Sequence, residues 1–272
     1  MKRRGAGRVV FYLAKRTIKT IIIGILVLGL VALATSYTAT TTAKGAPVED
    51  WLRNGQVIKQ VSTSKKLVAL TFDDGPSQTF TPQVLDILQQ HQAKATFFVV
   101  GKRAEKYPEL IKRIAAEGHE LANHTYNHPL SPVKADKLAE ELDKTDEVIF
   151  NITQRHTLYF RPPGGKCTKA TVEPALDKGY KVVLWTAQED PKDWSDPGVA
   201  KIVSQVVDNV RNGSIIILHD CGGDRTQTVE ALPQIIEALQ KKGYVFVTVS
   251  ELLRDSNTVP AIEEFRMENW LE

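Results

Sequence analysis

Apolar runs and amphipathic runs take turns along this chain from Leu67 onward, and that alternation limits its fold more than any other feature. The apolar, strand-like runs start near Leu67, Ala95, Glu120, Leu158, Lys181, Ser214 and Tyr244. Between them lie segments with helical spacing of apolar residues: Pro82 to His91, Glu109 to Glu117, Lys134 to Asn151, Val199 to Val210 and Thr228 to Lys241. A strand–helix–strand rhythm implies a parallel sheet with helices outside it, either open or closed into a barrel. No internal repeat is evident. At 272 residues, 42% of them hydrophobic, the chain can bury one sizeable domain with little left for a second.

Parallel α/β folds gather their chemistry at the carboxyl ends of the strands, so the residues that end these runs matter most. Leu67-Val68-Ala69-Leu70-Thr71-Phe72 runs straight into Asp73-Asp74-Gly75. His119-Glu120-Leu121-Ala122-Asn123, a poorer strand, runs into His124-Thr125-Tyr126-Asn127-His128. Histidines four apart lie on one face of a helical turn, so both imidazoles could reach one ion. A carboxylate from elsewhere would complete three ligands and leave a position for water, as catalytic zinc requires. The second aspartate would be free to act on that water. Each fragment also has a plainer reading, since Asp-Asp-Gly is a common turn and paired histidines often hold no metal. Their shared position at strand ends favours a hydrolytic metal site.

Five motifs in order now connect the chain to a family. Thr71-Phe72-Asp73-Asp74-Gly75, His124-Thr125-Tyr126-Asn127-His128, Arg161-Pro162-Pro163-Gly164-Gly165, Asp190-Pro191-Lys192-Asp193-Trp194 and Ile216-Ile217-Leu218-His219-Asp220 together resemble the motifs of the polysaccharide deacetylases with a NodB-homology domain, carbohydrate esterase family 4. The resemblance runs from about Lys66 to Leu253. It implies a distorted, incomplete (β/α)7 barrel, TIM-barrel-like, and a metal-dependent hydrolase that removes N-acetyl groups from polysaccharide. By resemblance Asp74, His124 and His128 bind one divalent ion, zinc in the first place, with cobalt, nickel, manganese or iron as other candidates. Asp73 is the general base and His219 the general acid, the latter held as a cation by a nearby carboxylate. That carboxylate is assigned to Asp193, although Asp190 in the same motif is open for the part. Arg161 is expected beside Asp73, keeping it ionised and correctly turned. Trp194 and Leu218 are expected to form an apolar wall against the acetyl methyl and sugar face, with Asp190 also on the substrate side. The Gly164 backbone N–H is expected to donate to the oxyanion. Many family members carry tyrosine at that place, so the glycine leaves the shape of the groove open.

The amino-terminal end reads as an export signal. Met1 to Thr20 contains seven Lys or Arg and no acid, and leads into the uncharged run Ile21 to Ala34. That run is short for a span of ~20 residues and suits a signal-peptide core, with Ala32-Leu33-Ala34 before a cleavage site. Extension through Tyr37 gives an uncleaved anchor instead. Residues 1–37 are therefore read as signal peptide or signal anchor, 38–65 as linker and lead-in, 66–254 as the deacetylase domain and 255–272 as an acidic tail. Either fate places the catalytic part outside the cytoplasm, at the cell wall or the outer face of the membrane. Setting those seven cations aside leaves 28 Lys and Arg against 32 Asp and Glu. The mildly acidic remainder argues against nucleic acid as a partner. The expected partner is an acetylated polysaccharide, with the membrane engaged only through an uncleaved amino-terminal segment and no protein partner predicted.

Cys167 and Cys221 each follow a motif closely, which leaves open a disulfide bracing the active-site rim of an exported protein. The functional classes are ordered as follows. An N-deacetylase on peptidoglycan leads, then chitin-type oligomers or an exopolysaccharide. An O-acetyl esterase on xylan-type polymer and a silent carbohydrate-binding relative are the alternatives.

Overall fold

The computed structural model describes residues 47–131 and 133–256. The segment read as signal or anchor lies outside the described residues, as do positions 38–46 and 257–272. Among the described residues no helix is long and apolar enough to cross a membrane. The sheet belongs to the unit spanning Asp50–Glu272.

Eight strands build it: β1 (Val57–Ile58), β2 (Leu67–Asp73), β3 (Ala95–Val99), β4 (Glu120–Asn123), β5 (Tyr159–Phe160), β6 (Lys181–Val183), β7 (Ile215–His219) and β8 (Val245–Phe246). The order across the sheet is β1-β6-β5-β4-β3-β2-β7, every pair parallel, with β8 joining the start of β2. Between and after them run α1 (Pro47–Arg53), α2 (Phe80–Gln90), α3 (Gly101–Lys106), α4 (Pro108–Ala116), α5 (Ala135–Thr153), α6 (Lys169–Asp177), α7 (Val199–Val207), α8 (Thr226–Lys241) and α9 (Val249–Arg254). The seven expected strands are present, and β1 is an eighth in a stretch read as lead-in.

The sheet curls into a half-barrel whose two ends meet without a strand between them. Just after β1, Val61 N–H donates to Gly213 O at 2.9 Å, and Gln60 bridges Ser214 in antiparallel sense. Beyond β6, Thr186 N–H donates to Ile215 O at 2.9 Å while its Oγ1 accepts from Ile215 N–H at 3.0 Å. Loop backbone thus closes the seam that a full barrel would close with a strand ladder, which is the distortion the family resemblance implies.

Successive side chains on a strand point to opposite faces. On β2, Leu70 and Phe72 join the outer core beneath the helices, together with Val84, Leu85 and Leu88 of α2. Ala69 instead joins the inner core with Phe98, Ala122, Tyr159, Val183 and Ile215. β2 and β3 are nearly continuous buried runs because both of their faces are covered. The inner column of β2 therefore reads Ala69, Thr71, Asp73, and that of β7 reads Ile215, Ile217, His219. The same parity corrects one expectation. Leu218 is fully buried in the outer core, so it forms no wall of the site, and Ile217 lines the pocket in its place.

Candidate active site

β2 and β7 pair in the register that sets Asp73 opposite His219, and the remaining site residues assemble around that pair. Asp73 ends β2, and Asp74 follows with φ 72°, in the left-handed region. That reversal lets adjacent aspartates serve different neighbours. Gly75 comes next, where a Cβ would collide with the carboxylate of buried Asp220.

Asp74 Oδ1 lies 3.0 Å from His128 Nε2 and 3.4 Å from His124 Nε2. One donor atom from each of the three lies within 4.8 Å of the others, the spacing of ligands around a single ion. Burial opposes ionisation of Asp74, but hydrogen bonds from His124 and His128 outweigh it and hold the carboxyl well below the usual carboxylate range. His124 Nδ1 sits 2.7 Å from the Arg161 carbonyl oxygen. A carbonyl only accepts, so Nδ1 is the donor there and Nε2 is the ring atom that faces Asp74. This is how a metal-binding imidazole is oriented, and the donor set fits a divalent ion.

The two histidines do not share a helical turn. His124 to Ser131 is irregular chain, with Thr125 at φ 67° and His128 at φ 57°. Two left-handed residues bring the rings together, with centroids 4.9 Å apart. Glu141 of α5 holds this loop: Oε2 accepts from Tyr126 N–H (3.0 Å) and Asn127 N–H (2.6 Å), and Oε1 accepts from Asn127 Nδ2 (2.7 Å). Sequence reasoning missed Glu141. Its signal was an acid on the apolar face of α5, between Leu138 and Leu142. Glu141→Ala is expected to weaken zinc affinity by about 10- to 100-fold, as loss of a residue that orients ligands does. Competition with a chelator checks this, and an unchanged affinity would refute it.

Arg161 is fully buried, and each of its bonds is accounted for. Nη1 donates to Asp73 Oδ1 at 2.6 Å and to Thr71 Oγ1 at 2.8 Å. Nε donates to Val183 O and Nη2 to Leu184 O, both at 3.0 Å. The guanidinium lies 4.0 Å from the Phe98 ring centroid. Burial lowers its pKa while the Asp73 charge and hydrogen bond oppose that shift.

His219 is tied to Asp193, not to Asp190. Asp193 Oδ1 lies 2.7 Å from His219 Nδ1, and Oδ2 accepts from His219 N–H (2.9 Å) and Thr228 Oγ1 (2.8 Å). Asp190 instead accepts from Trp185 Nε1 (3.2 Å) and Lys192 N–H (2.9 Å). Burial works against the His219 cation, but the Asp193 hydrogen bond and charge outweigh it, with Asp73 and Asp74 adding, and its pKa is pushed up to about 9. A folded-state pKa above the free value means the cation stabilises the fold fully below pH 6.5. That contribution is lost as pH rises through about 9. Asp193→Asn leaves burial opposed only by the more distant Asp73 and Asp74 charges, so the alkaline limb of the activity profile is expected to move to lower pH. A full pH profile of kcat/KM checks this, and an unmoved limb would separate Asp193 from the titration.

Asp73, Asp74, His124, His128 and His219 line a cavity of ≈ 500 Å³ with Gly164, Asp190, Trp194 and Ile217 on its walls. Gly164 has φ 63°, and a Cβ built on it meets nothing within 4 Å, so the groove is open at that position. Leu130, Gly165, Trp185, Gly222 and Arg225 also line it and were not foreseen as site residues. Trp194 is 55% and Leu130 61% exposed, and both large apolar side chains stand at this cavity. Cys167 and Cys221 are free thiols, so no disulfide braces the rim.

A curled parallel sheet with carboxylates and imidazoles converging at its carboxyl edge is the layout of a barrel hydrolase. A family model described as polysaccharide deacetylase matches residues 60–183. A peptidoglycan-N-acetylglucosamine deacetylase of Bacillus cereus is 48% identical over 200 residues, 74% of this chain and 94% of the relative. A chitooligosaccharide deacetylase of Sinorhizobium fredii is 39% identical over 208 residues, 72% of this chain and 94% of the relative. The crystal structure of a peptidoglycan N-acetylglucosamine deacetylase in complex with 4-naphthalen-1-yl-N-oxidanyl-benzamide superimposes with a TM-score of 0.72 at 36% identity, covering 77% of this chain and 98% of that one. The chain belongs to the polysaccharide deacetylases of carbohydrate esterase family 4.

Proposed function

We propose that this protein is a metal-dependent hydrolase that removes N-acetyl groups from N-acetylglucosamine residues of a cell-wall glycan, peptidoglycan before chitin-type oligomers. The observation that carries the metal requirement is the Asp74, His124 and His128 cluster, with donor atoms within 4.8 Å and His124 turned by the Arg161 carbonyl so that Nε2 faces Asp74. When bound there, a divalent ion, zinc first, supplies a water of lowered pKa and polarises the acetyl carbonyl.

The chain's own groups do the rest. Asp73, held by Arg161 Nη1 at 2.6 Å, takes the proton of the attacking water. The Gly164 backbone N–H donates to the oxygen that gains charge as the acetyl carbon becomes tetrahedral. His219, held as a cation by Asp193, gives its proton to the departing nitrogen. An amine is a poor leaving group without that proton, so a cationic acid suits an amide substrate. Trp194 and Leu130, exposed at the rim, offer flat apolar surface to a pyranose face.

Names of relatives that act on peptidoglycan and chitooligosaccharide favour a glycan outside the cytoplasm. The basic and apolar residues 1–37 supply a route there as signal or anchor, and the membrane is engaged through them if they are retained. Acetate release by the full-length protein from peptidoglycan, N-acetylglucosamine oligomers and acetylated xylan tests the substrate class. Release from the two amide substrates with little from xylan is expected. Release from xylan alone would make the protein an ester hydrolase.

A further inference from the structure

A second cleft, of ≈ 440 Å³, adjoins the catalytic cavity and shares Asp74, His128 and Gly222 with it. Its far wall is basic: Lys102, Arg103 and Lys106, all on α3. Among the described residues none of these three cations forms an ion pair, whereas Arg113 on the next helix pairs with both Asp86 and Glu117. The wall is fixed to the site. Gly101 N–H donates to Thr125 O at 2.9 Å and Lys102 N–H to Tyr126 O at 3.0 Å, so the start of α3 is bonded to the loop that carries both histidines. A Cβ at Gly101 would come within 2.5 Å of Thr145 Oγ1, which shows how tightly α3 is seated on α5.

This placement runs against the bulk charge of the domain. Outside the first twenty residues the chain is mildly acidic, yet three unpaired cations line the continuation of the catalytic groove. A neutral acetylated sugar offers them hydrogen-bond acceptors but no charge to pair with. A glycan that alternates an N-acetylated sugar with one bearing a carboxylate would place that charge in the cleft while its acetyl group lies at Asp73 and Asp74.

We propose that Lys102, Arg103 and Lys106 form an anion subsite that selects a carboxylate-bearing glycan next to the sugar being deacetylated. The subsite rests on the deacetylase reading of the neighbouring cavity and narrows its substrate. Exposed cations act mainly on encounter and register, so their effect belongs in KM and in its salt dependence rather than in kcat.

The test is a variant of the full-length protein carrying Lys102→Gln, Arg103→Gln and Lys106→Gln, assayed by acetate release at low and high salt. Three substrates are compared: neutral N-acetylglucosamine oligomers, peptidoglycan glycan strands with free carboxylates, and the same strands with carboxylates converted to methylamides. On the carboxylate strands KM is expected to rise about tenfold, with kcat held and the salt dependence lost. On the neutral oligomers and the amidated strands KM is expected to stay as in the unmodified protein. An equal loss on all three substrates would make α3 merely structural, and no loss on any would remove the subsite. A gain specific to phosphate-bearing glycan over carboxylate glycan in the unmodified protein would also overturn it. Failure of the unmodified protein to release acetate from any substrate would instead sink the deacetylase reading itself.

Discussion

Asp73→Asn is expected to lower kcat for acetate release by about 10³-fold while leaving zinc content and thermal stability close to those of the unmodified protein. The substitution is isosteric. The amide oxygen can still accept from Arg161 Nη1, which lies 2.6 Å from Oδ1 in the unmodified protein. What is lost is the ability to take a proton from water at the centre of the cavity. Asp73 Oδ2 lies 3.8 Å from His124 Nε2, beside the donor cluster without belonging to it. Metal binding and proton removal are therefore separable in this site. Metal content by atomic absorption and a kcat measurement on the same sample check the split. Full activity in the variant would take the base role from Asp73. Loss of metal along with activity would make Asp73 a ligand.

Arg161→Met is expected to destabilise the protein by about 3–5 kcal/mol, the largest stability effect among the site residues. The side chain is 0% exposed and bonds Asp73, Thr71 and two backbone carbonyls at once. Methionine fills much of the volume, but it strands a buried carboxylate and leaves Val183 O and Leu184 O without their donors. Arg161→Lys should recover little, because one ammonium cannot span four acceptors that diverge around a planar fork. Chemical denaturation gives the answer directly. A midpoint equal to that of the unmodified protein would show that Asp73 ionises and holds its position without Arg161.

Both predictions rest on residues that the sequence announced, and the reason is physical. Asp73, Asp74, His124, Arg161 and His219 all stand at or next to a strand's carboxyl end, and at Asp73 and His219 a long apolar run stops at a titratable residue. That break is visible in sequence. The side-chain parity of the strands was harder to read. Ile215-Ile216-Ile217-Leu218 is apolar throughout because both faces of β7 are covered, so composition does not say which residues face inward. Counting back in twos from His219 picks Ile217 and not Leu218, and that was the available signal. The histidine pair had a spacing suited to a helix, yet Thr125 and His128 adopt left-handed backbone that no propensity would suggest. β1 went unseen because two residues after a Gly-Gln step make no pattern, and it exists only through its pairing with β6. The choice of Asp193 over Asp190 was likewise set by backbone, since both sit in the same motif and only the turn at Lys192, φ 51°, decides which reaches His219.

The cluster of Asp74, His124 and His128 carries the central claim, and metal dependence is its most direct test. Full-length protein is stripped with a chelator, its metal content is measured, and acetate release from N-acetylglucosamine oligomers is recorded before and after one equivalent of zinc is returned. Asp74→Ala is treated identically alongside. The account predicts one ion per chain in the unmodified protein, loss of activity on stripping, recovery on reloading, and neither binding nor recovery in Asp74→Ala. Undiminished acetate release by protein shown to be free of metal would contradict it.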